Sequence, residues 1–141
     1  MSTLLDTNVL SELLRAVPDP AVLRWFAQQP ADSLSVSSVT QAEMLLGARL
    51  LPAGKRRQQL QAALSAMFET DFAGRLLPFD ATAAVVYADL VSVRRAAGRP
   101  ISQFDAQIAA IARCRGTALA TRDTAGFEGC ALRLVNPWDA S

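Results

Sequence analysis

The chain has 141 residues, of which 51% are hydrophobic and 19% are charged, and its net charge at neutral pH is +1. This length suits a single domain over residues 1–141, and the apolar share excludes intrinsic disorder. No apolar run reaches the roughly 20 residues of a membrane-spanning helix, and no basic region with a cleavage site follows Met1. We therefore expect a cytoplasmic protein without membrane contact. The chain has no histidine, which excludes serine–histidine and cysteine–histidine catalysis and disfavours zinc sites.

Short apolar runs alternate with helical patterns along the chain. Five runs predict β-strands, and they are Thr3–Leu5, Leu34–Ser37, Arg75–Leu77, Thr117–Ala120 and Leu132–Val135. Helix starts are indicated by Asp19–Pro20, a capping box at Ser38–Gln41, Asp80 and a second box at Ser102–Asp105. Pro52–Gly54 separates two helical segments, which predicts a helical hairpin at about 39–70. The alternation predicts an α/β fold with a parallel sheet covered on both faces.

Four acidic residues occur in separate segments where a domain without a site would favour apolar or small residues. They are Asp6, Glu43, Asp105 and Asp123. Asp6 ends the first predicted strand and Asp123 follows the fourth, so both lie at the edge where parallel sheets bind ligands. Glu43 is predicted on the packed face of its helix, together with Val39, Leu46 and Leu50, and Asp105 lies on a similar face. Gathered carboxylates suit Mg²⁺ and Mn²⁺, and we expect at least one of the four to have a raised pKa.

Each acid also has an explanation that needs no site. Asp6 fits the N-cap of a helix that begins near Asn8, Asp105 fits the acidic member of a capping box, and Asp123 fits a turn. Glu43 is hardest to explain without a cation, because an isolated ionised carboxylate on an inward face is costly.

Basic residues are expected to contact a polyanion only as local patches, because the net charge is small. Arg94 and Arg95 end the long helix after Asp80. Two explanations account for them equally well: solvated cations that complement the helix dipole, or contacts with phosphate. Arg122 adjoins Asp123 and is the basic residue that we expect beside a bound phosphate.

The same segments resemble PIN-domain proteins, especially VapC- and FitB-type ribonuclease toxins of bacterial type II toxin–antitoxin pairs. The resemblance covers nearly the whole chain and is carried by Leu5–Glu12, Ser38–Glu43, Asp105–Ala112, Thr121–Asp123 and Asn136–Trp138. It implies a three-layer α/β/α sandwich with a five-stranded parallel sheet. It also implies a Mg²⁺ site, open to Mn²⁺, whose ligands are Asp6, Glu43, Asp105 and Asp123, with Thr121 beside them. Many relatives have Asn at position 123 and Asp at 126, where this chain has Asp123 and Gly126, which leaves open whether Asp123 binds the metal directly or through a water.

The resemblance predicts an endoribonuclease that hydrolyses RNA phosphodiesters with a Mg²⁺-activated water. It implies an RNA substrate, a cognate antitoxin protein and a homodimer, with operator DNA reached only indirectly through the antitoxin. One alternative is a PIN-fold binding module, or a subunit of an antitoxin-partnered DNA-binding complex, with little nuclease activity. A phosphoacceptor signalling domain is a further alternative, but such a site usually has a lysine nearby, and the only lysine, Lys55, lies in the predicted hairpin.

Overall fold

A computed structural model describes residues 2–139, in which a five-stranded parallel sheet is flanked by helices. The strands are β1 (Thr3–Leu5), β2 (Leu34–Ser37), β3 (Leu76–Leu77), β4 (Ala118–Ala120) and β5 (Leu134–Val135). The helices are α1 (Thr7–Leu13), α2 (Pro20–Gln28), α3 (Ser38–Arg49), α4 (Lys55–Ala66), α5 (Ala81–Ala96) and α6 (Gln103–Arg115). The predicted strands are therefore confirmed, although β3, β4 and β5 begin one or two residues later than expected. Across this described range, no helix is both long and apolar enough to cross a membrane.

The strand order places β1 at the centre of the sheet. The order is β3-β2-β1-β4-β5, and every neighbouring pair is parallel. Leu5 in β1 is opposite Val36 in β2 and Ala120 in β4. The chain adds β2 and β3 on one side of β1 and then crosses to add β4 and β5 on the other. This reversal opens a crevice at the carboxyl ends of β1 and β4, the usual ligand site of such sheets.

Two apolar cores lie on opposite faces of the sheet, because successive strand residues point to opposite sides. Leu5 is buried in the first core, with Trp25 of α2 and Leu64 of α4. Leu4 is buried in the second core, where Ile108 of α6 packs beside residues of α5. The predicted three-layer α/β/α sandwich is therefore confirmed.

Polar caps fix where the segments turn after each strand. Three caps occur as predicted, at Asp19, Asp80 and Ser102. Asp6 is the N-cap of α1, and its side chain accepts a hydrogen bond from the Thr7 N–H. The cap of α3 is Ser37 and not the predicted Ser38, because the Ser37 hydroxyl accepts the Thr40 N–H. Strand β2 therefore runs directly into α3.

The predicted packed face of α3 is correct only in its first turn. Val39 is buried, whereas Leu46 and Leu50 expose 57% and 74% of their surface. Ala48, on the opposite side of the helix, is buried instead.

The prediction for Arg94 is also wrong in part, since this side chain is buried and not solvated. After α4, one π-helical turn at Met67–Asp71 leads towards β3.

Candidate active site

A crevice of about 490 Å³ opens beside the carboxyl ends of β1 and β4. Four carboxyl groups and two guanidinium groups line it, from Asp6, Glu12, Glu43, Asp105, Arg15 and Arg122. Three of the four acids singled out from the sequence therefore meet in one place, although they come from separate elements.

Asp6 lies deepest among these three acids, with 5% of its surface exposed. Its Oδ1 accepts the Thr7 N–H at 2.8 Å, and its Oδ2 accepts the Thr121 hydroxyl at 2.8 Å. Burial raises the pKa of Asp6 above its usual value, while the hydrogen bonds from Thr121 and Thr7 oppose that increase. The negative charges of Asp105 and Glu43 raise the pKa of Asp6 further. The expected raised pKa is confirmed, with burial as its main cause.

Glu43 is half-buried in α3 and is oriented by hydroxyl groups. The Thr7 hydroxyl donates to Glu43 Oε1 at 3.1 Å and lies 2.9 Å from the Thr40 hydroxyl. The Ser37 hydroxyl donates to Thr40 at 3.3 Å. Because Thr7 contacts Asp6 through its N–H and Glu43 through its hydroxyl, this one residue links the two carboxylates.

Asp105 is presented to the crevice by the first turn of α6. The Asp105 N–H donates to the Ser102 hydroxyl at 3.2 Å, and this hydrogen bond caps the start of α6. The following residues Ile108 and Ala112 are buried, so Asp105 lies at the edge of the packed face. A carboxylate in the first turn also complements the helix dipole, but the bond that caps the helix uses the backbone N–H of Asp105 and not its carboxylate.

Asp123 is exposed and does not line the crevice. Its Oδ1 accepts the Gly126 N–H at 3.1 Å, and its own N–H donates to the Thr121 hydroxyl at 3.1 Å. The residue therefore reaches Asp6 through Thr121, whose hydroxyl is shared between them. Direct metal ligation by Asp123 stays a prediction.

Sequence reasoning missed two charged residues of the crevice, Glu12 and Arg15. Glu12 is buried, accepts the Asp19 N–H at 2.9 Å and pairs with Arg15 at 3.2 Å. Asn8, Ser11, Glu12 and Arg15 recur at spacings of three and four, which is the pattern of one helical face. This polar face of α1 and of the residues that follow it is the sequence pattern that would have indicated Glu12 and Arg15.

Arg122 and Trp138 form the rim of the crevice. The guanidinium carbon of Arg122 lies 5.0 Å from the centroid of the Trp138 ring, a cation–π distance. The Arg122 N–H donates to the Asn8 side chain at 3.4 Å. These contacts hold a positive charge at the edge of an otherwise acidic crevice.

The donor set suits a hard divalent cation, because carboxylate and hydroxyl oxygens face the crevice. Arg15 already pairs with Glu12. The other charged groups that line the crevice are therefore one guanidinium group, that of Arg122, and the carboxyl groups of Asp6, Glu43 and Asp105. Within residues 2–139, no three histidine, cysteine, aspartate or glutamate side chains lie close enough to hold an ion directly. Since Mg²⁺ usually keeps several of its waters, the crevice fits a hydrated ion that the carboxylates bind partly through water.

A larger cavity of about 670 Å³ lies elsewhere, beside α1 and α2. Apolar side chains line most of it, and its charged lining residues are Asp71 and Arg75. Because no carboxylates converge there, the smaller acidic crevice is the better candidate for hydrolytic chemistry.

Comparison with known proteins settles the family. The PIN domain family model matches residues 3–129. The chain belongs to the PIN-domain family. This PIN-domain protein is 45% identical over 135 residues to VapC ribonuclease Y4jK of Sinorhizobium fredii, covering 96% of each chain. It is 39% identical over 135 residues to Toxin FitB of Neisseria gonorrhoeae, covering 96% of this chain and 97% of that protein.

A solved structure agrees with these relatives. The structure of FitAB bound to an IR36 DNA fragment matches the PIN-domain chain with a TM-score of 0.93 at 38% identity. The match covers 99% of this chain and 97% of that chain. The resemblance inferred from the sequence motifs is therefore confirmed.

Proposed function

We propose that this PIN-domain protein is a metal-dependent endoribonuclease and the toxin component of a toxin–antitoxin pair. The observation that carries the proposal is the acidic crevice, in which Asp6, Glu43 and Asp105 converge. The relatives at 45% and 39% identity bear the names of a VapC ribonuclease and a toxin, which supports both parts of the proposal.

Asp6, Glu43 and Asp105 would hold Mg²⁺ or Mn²⁺, with Thr121 and Asp123 completing the site through their hydrogen bonds. A bound ion supplies water of lowered pKa and stabilises negative charge on phosphoryl oxygens. Two like unit charges about 5 Å apart repel by roughly 3 kcal/mol at an effective dielectric constant near 20. An RNA phosphate would meet that repulsion from each ionised carboxylate, so the crevice needs a cation before it can accept the substrate.

The chain's own residues hold this arrangement in place. Thr7 and Thr121 each donate a hydrogen bond to Asp6, and the Thr7 hydroxyl also fixes Glu43. Arg122, held against Trp138, is placed to contact a substrate phosphate, because a guanidinium group stays charged at all relevant pH values.

The proposed partners are an RNA substrate and a small antitoxin protein, because a free ribonuclease would damage its own cell. The similarity to FitAB bound to a DNA fragment supports a partner protein and an indirect route to operator DNA. Co-expression with the short neighbouring reading frame should relieve growth arrest. A chain that is folded and loaded with metal yet harmless when expressed alone would contradict the toxin role.

A homodimer is also proposed. The exposed Leu46 and Leu50 of α3 are apolar surface that a second copy could cover. Sedimentation velocity at micromolar concentrations tests this, and a monomer at every concentration would refute it.

The nuclease proposal is tested by incubating the purified chain and structured RNA with Mg²⁺ or Mn²⁺. Asp6→Asn and Asp105→Asn should each lower cleavage by at least about a hundredfold, a loss typical of groups that act directly on the transition state. Asp89→Asn is the matched control, because Asp89 is an exposed acid outside the crevice. Equal cleavage by wild type and both crevice variants would show that a contaminating nuclease is responsible.

The alternative is a binding module with little nuclease activity. Calorimetric titration with Mn²⁺ separates the two proposals, because only a nuclease site should bind the ion and lose that binding in Asp6→Asn. Absence of Mn²⁺ binding in wild type would support the binding module.

A further inference from the structure

Arg94 is a buried arginine near the end of α5, with 6% of its surface exposed. Its Nε donates to the Arg99 carbonyl at 2.7 Å, its Nη2 donates to the Gly126 carbonyl at 3.1 Å, and its Nη1 donates to the Glu128 carbonyl. None of the ion pairs found between residues 2 and 139 involves Arg94. Its Nη1 also lies 3.9 Å from Cys130 Sγ. A buried guanidinium group that contacts carbonyl oxygens and one thiol, but no carboxylate, is costly. The guanidinium group must therefore achieve something that an apolar side chain would not.

The Arg94 guanidinium group holds the backbone of the turn after β4. Gly126 is bonded on both sides: its carbonyl accepts from Arg94, and its N–H donates to Asp123 Oδ1 at 3.1 Å. The Asp123 N–H donates to the Thr121 hydroxyl, which donates to Asp6 Oδ2 at 2.8 Å. A continuous path of hydrogen bonds and short backbone segments therefore runs from Arg94 to the deepest carboxylate of the crevice.

The Thr121 hydroxyl explains why this path affects the site. A hydroxyl has one proton to donate. Because the Asp123 N–H occupies an acceptor position of the Thr121 oxygen, the hydroxyl proton is free to point at Asp6. If the turn moved, the Thr121 hydroxyl could rotate away, and Asp6 Oδ2 would lose its donor.

Gly126 shows that the turn is built around the Asp123 carboxylate. A Cβ atom at position 126 would lie 2.3 Å from Asp123 Oδ2 and 2.8 Å from its Cγ. Any side chain at 126 would therefore force the Asp123 carboxylate to move. The Asp123 carboxylate therefore occupies the space that a side chain at 126 would take.

We propose that Arg94 is a positioning residue of the nuclease site, which fixes the Gly126 turn so that Asp123 and Thr121 hold Asp6 in its orientation. Asp123 then acts through its hydrogen bonds, and its negative charge is not what the site uses. The inference rests on the nuclease function proposed above, but its central claim concerns the hydrogen bonds of this chain.

The test compares Arg94→Met and Arg94→Lys with Arg95→Met, a matched control on the neighbouring exposed arginine of α5. Each variant is assayed well below its unfolding temperature, with kcat and KM measured separately and Mn²⁺ affinity measured by calorimetry. Arg94→Met should lower kcat and Mn²⁺ affinity by about tenfold or more, the usual effect of losing a residue that orients a metal ligand. KM should change much less than kcat. Arg94→Lys should keep part of the kcat and the Mn²⁺ affinity that Arg94→Met loses. Equal kcat and Mn²⁺ affinity in Arg94→Met and Arg95→Met would overturn the proposal.

A second pair of variants tests the role of Asp123 without disturbing a buried residue. Asn can accept the Gly126 N–H as Asp does, so Asp123→Asn should lower kcat and Mn²⁺ affinity less than Asp123→Ala does. Equal losses in the two variants would show that the negative charge of Asp123 is what matters, and would overturn the positioning role. If Arg94→Met does not fold, Gly126→Ala displaces the same carboxylate and should produce the same losses.

Amide hydrogen exchange separates failure of this inference from failure of the nuclease function. The Asp123 and Gly126 N–H groups should exchange several-fold faster in Arg94→Met than in Arg95→Met, because their acceptors become mobile. This result would support the positioning role of Arg94 even if wild type neither cleaved RNA nor bound Mn²⁺. Unchanged exchange rates at both positions would overturn the inference even if the enzyme were fully active.

Discussion

Replacing Thr121 by valine should destabilise the protein and should do so more strongly at neutral than at acid pH. Thr121 is fully buried, and valine has nearly the same shape, so packing changes little. The substitution removes a hydroxyl that donates to Asp6 at 2.8 Å and accepts from the Asp123 N–H at 3.1 Å. Thr121→Ser is the matched control, because serine keeps the hydroxyl and removes only a methyl group.

The expected loss follows from these two contacts. A hydrogen bond to a charged group contributes about 1.5–3 kcal/mol, and the neutral bond from the Asp123 N–H contributes about 1 kcal/mol. The methyl group that replaces the hydroxyl recovers less than about 1 kcal/mol through apolar burial. The free energy of unfolding should therefore fall by about 1.5–4 kcal/mol. At about 3 °C per kcal/mol for a chain of this size, Tm should fall by about 5–12 °C.

The pH dependence has a definite sign. The Thr121 hydrogen bond lowers the pKa of Asp6 and so favours its ionised form, whereas burial raises that pKa overall. The contribution of Thr121 is present above the folded pKa of Asp6 and is lost as the pH falls through that value. The stability gap between wild type and Thr121→Val should therefore narrow towards acid pH.

Urea denaturation with EDTA, from pH 7.5 down to the lowest pH of reversible unfolding, measures this gap. Thr121→Ser should lose only about 1 kcal/mol, for the buried methyl group, and that loss should not change with pH. Two results would refute the reasoning: a valine variant as stable as the serine variant at pH 7.5, or a gap that is constant with pH.

Two other substitutions should have distinct effects on stability. Arg15→Ala should cost about 0.5–1 kcal/mol, since Arg15 is mostly exposed and its pair with Glu12 is screened by water; the cost should shrink in 1 M NaCl, and insensitivity to salt would count against an ionic origin. Leu64→Ala should cost about 3 kcal/mol through the cavity that it leaves in the first core, and a urea midpoint near that of wild type would show that the core relaxes around it.

Local patterns predicted the frame of the molecule well. Strand runs and helix caps are encoded by neighbouring residues, and Asp80 and Ser102 begin their helices as expected. The error at α3 has a physical reason. Periodicity shows that Leu46 and Leu50 share a helical face, but it does not show whether another element covers that face.

The site was harder to predict because its contacts join distant segments. Charged residues at the end of a helix resemble solvated ones, so Arg94 could not be recognised as buried, and two of its three carbonyl partners lie more than 30 positions away. The role of Asp123 was uncertain for the same reason. Its distance from the crevice depends on a turn whose geometry is set by Gly126 and Arg94, and no short motif describes that geometry.

The central place of β1 has a consequence for synthesis of the protein. Asp6 leaves the ribosome 115 residues before Thr121, whose hydroxyl donates a hydrogen bond to it. Strand β4, which pairs with β1 and carries the chain to Thr121, also emerges well after β1. A nascent chain can form helices and pair β1 with β2 while its crevice is still incomplete. The crevice can therefore take its final form only after Thr121 has been synthesised, long after Asp6.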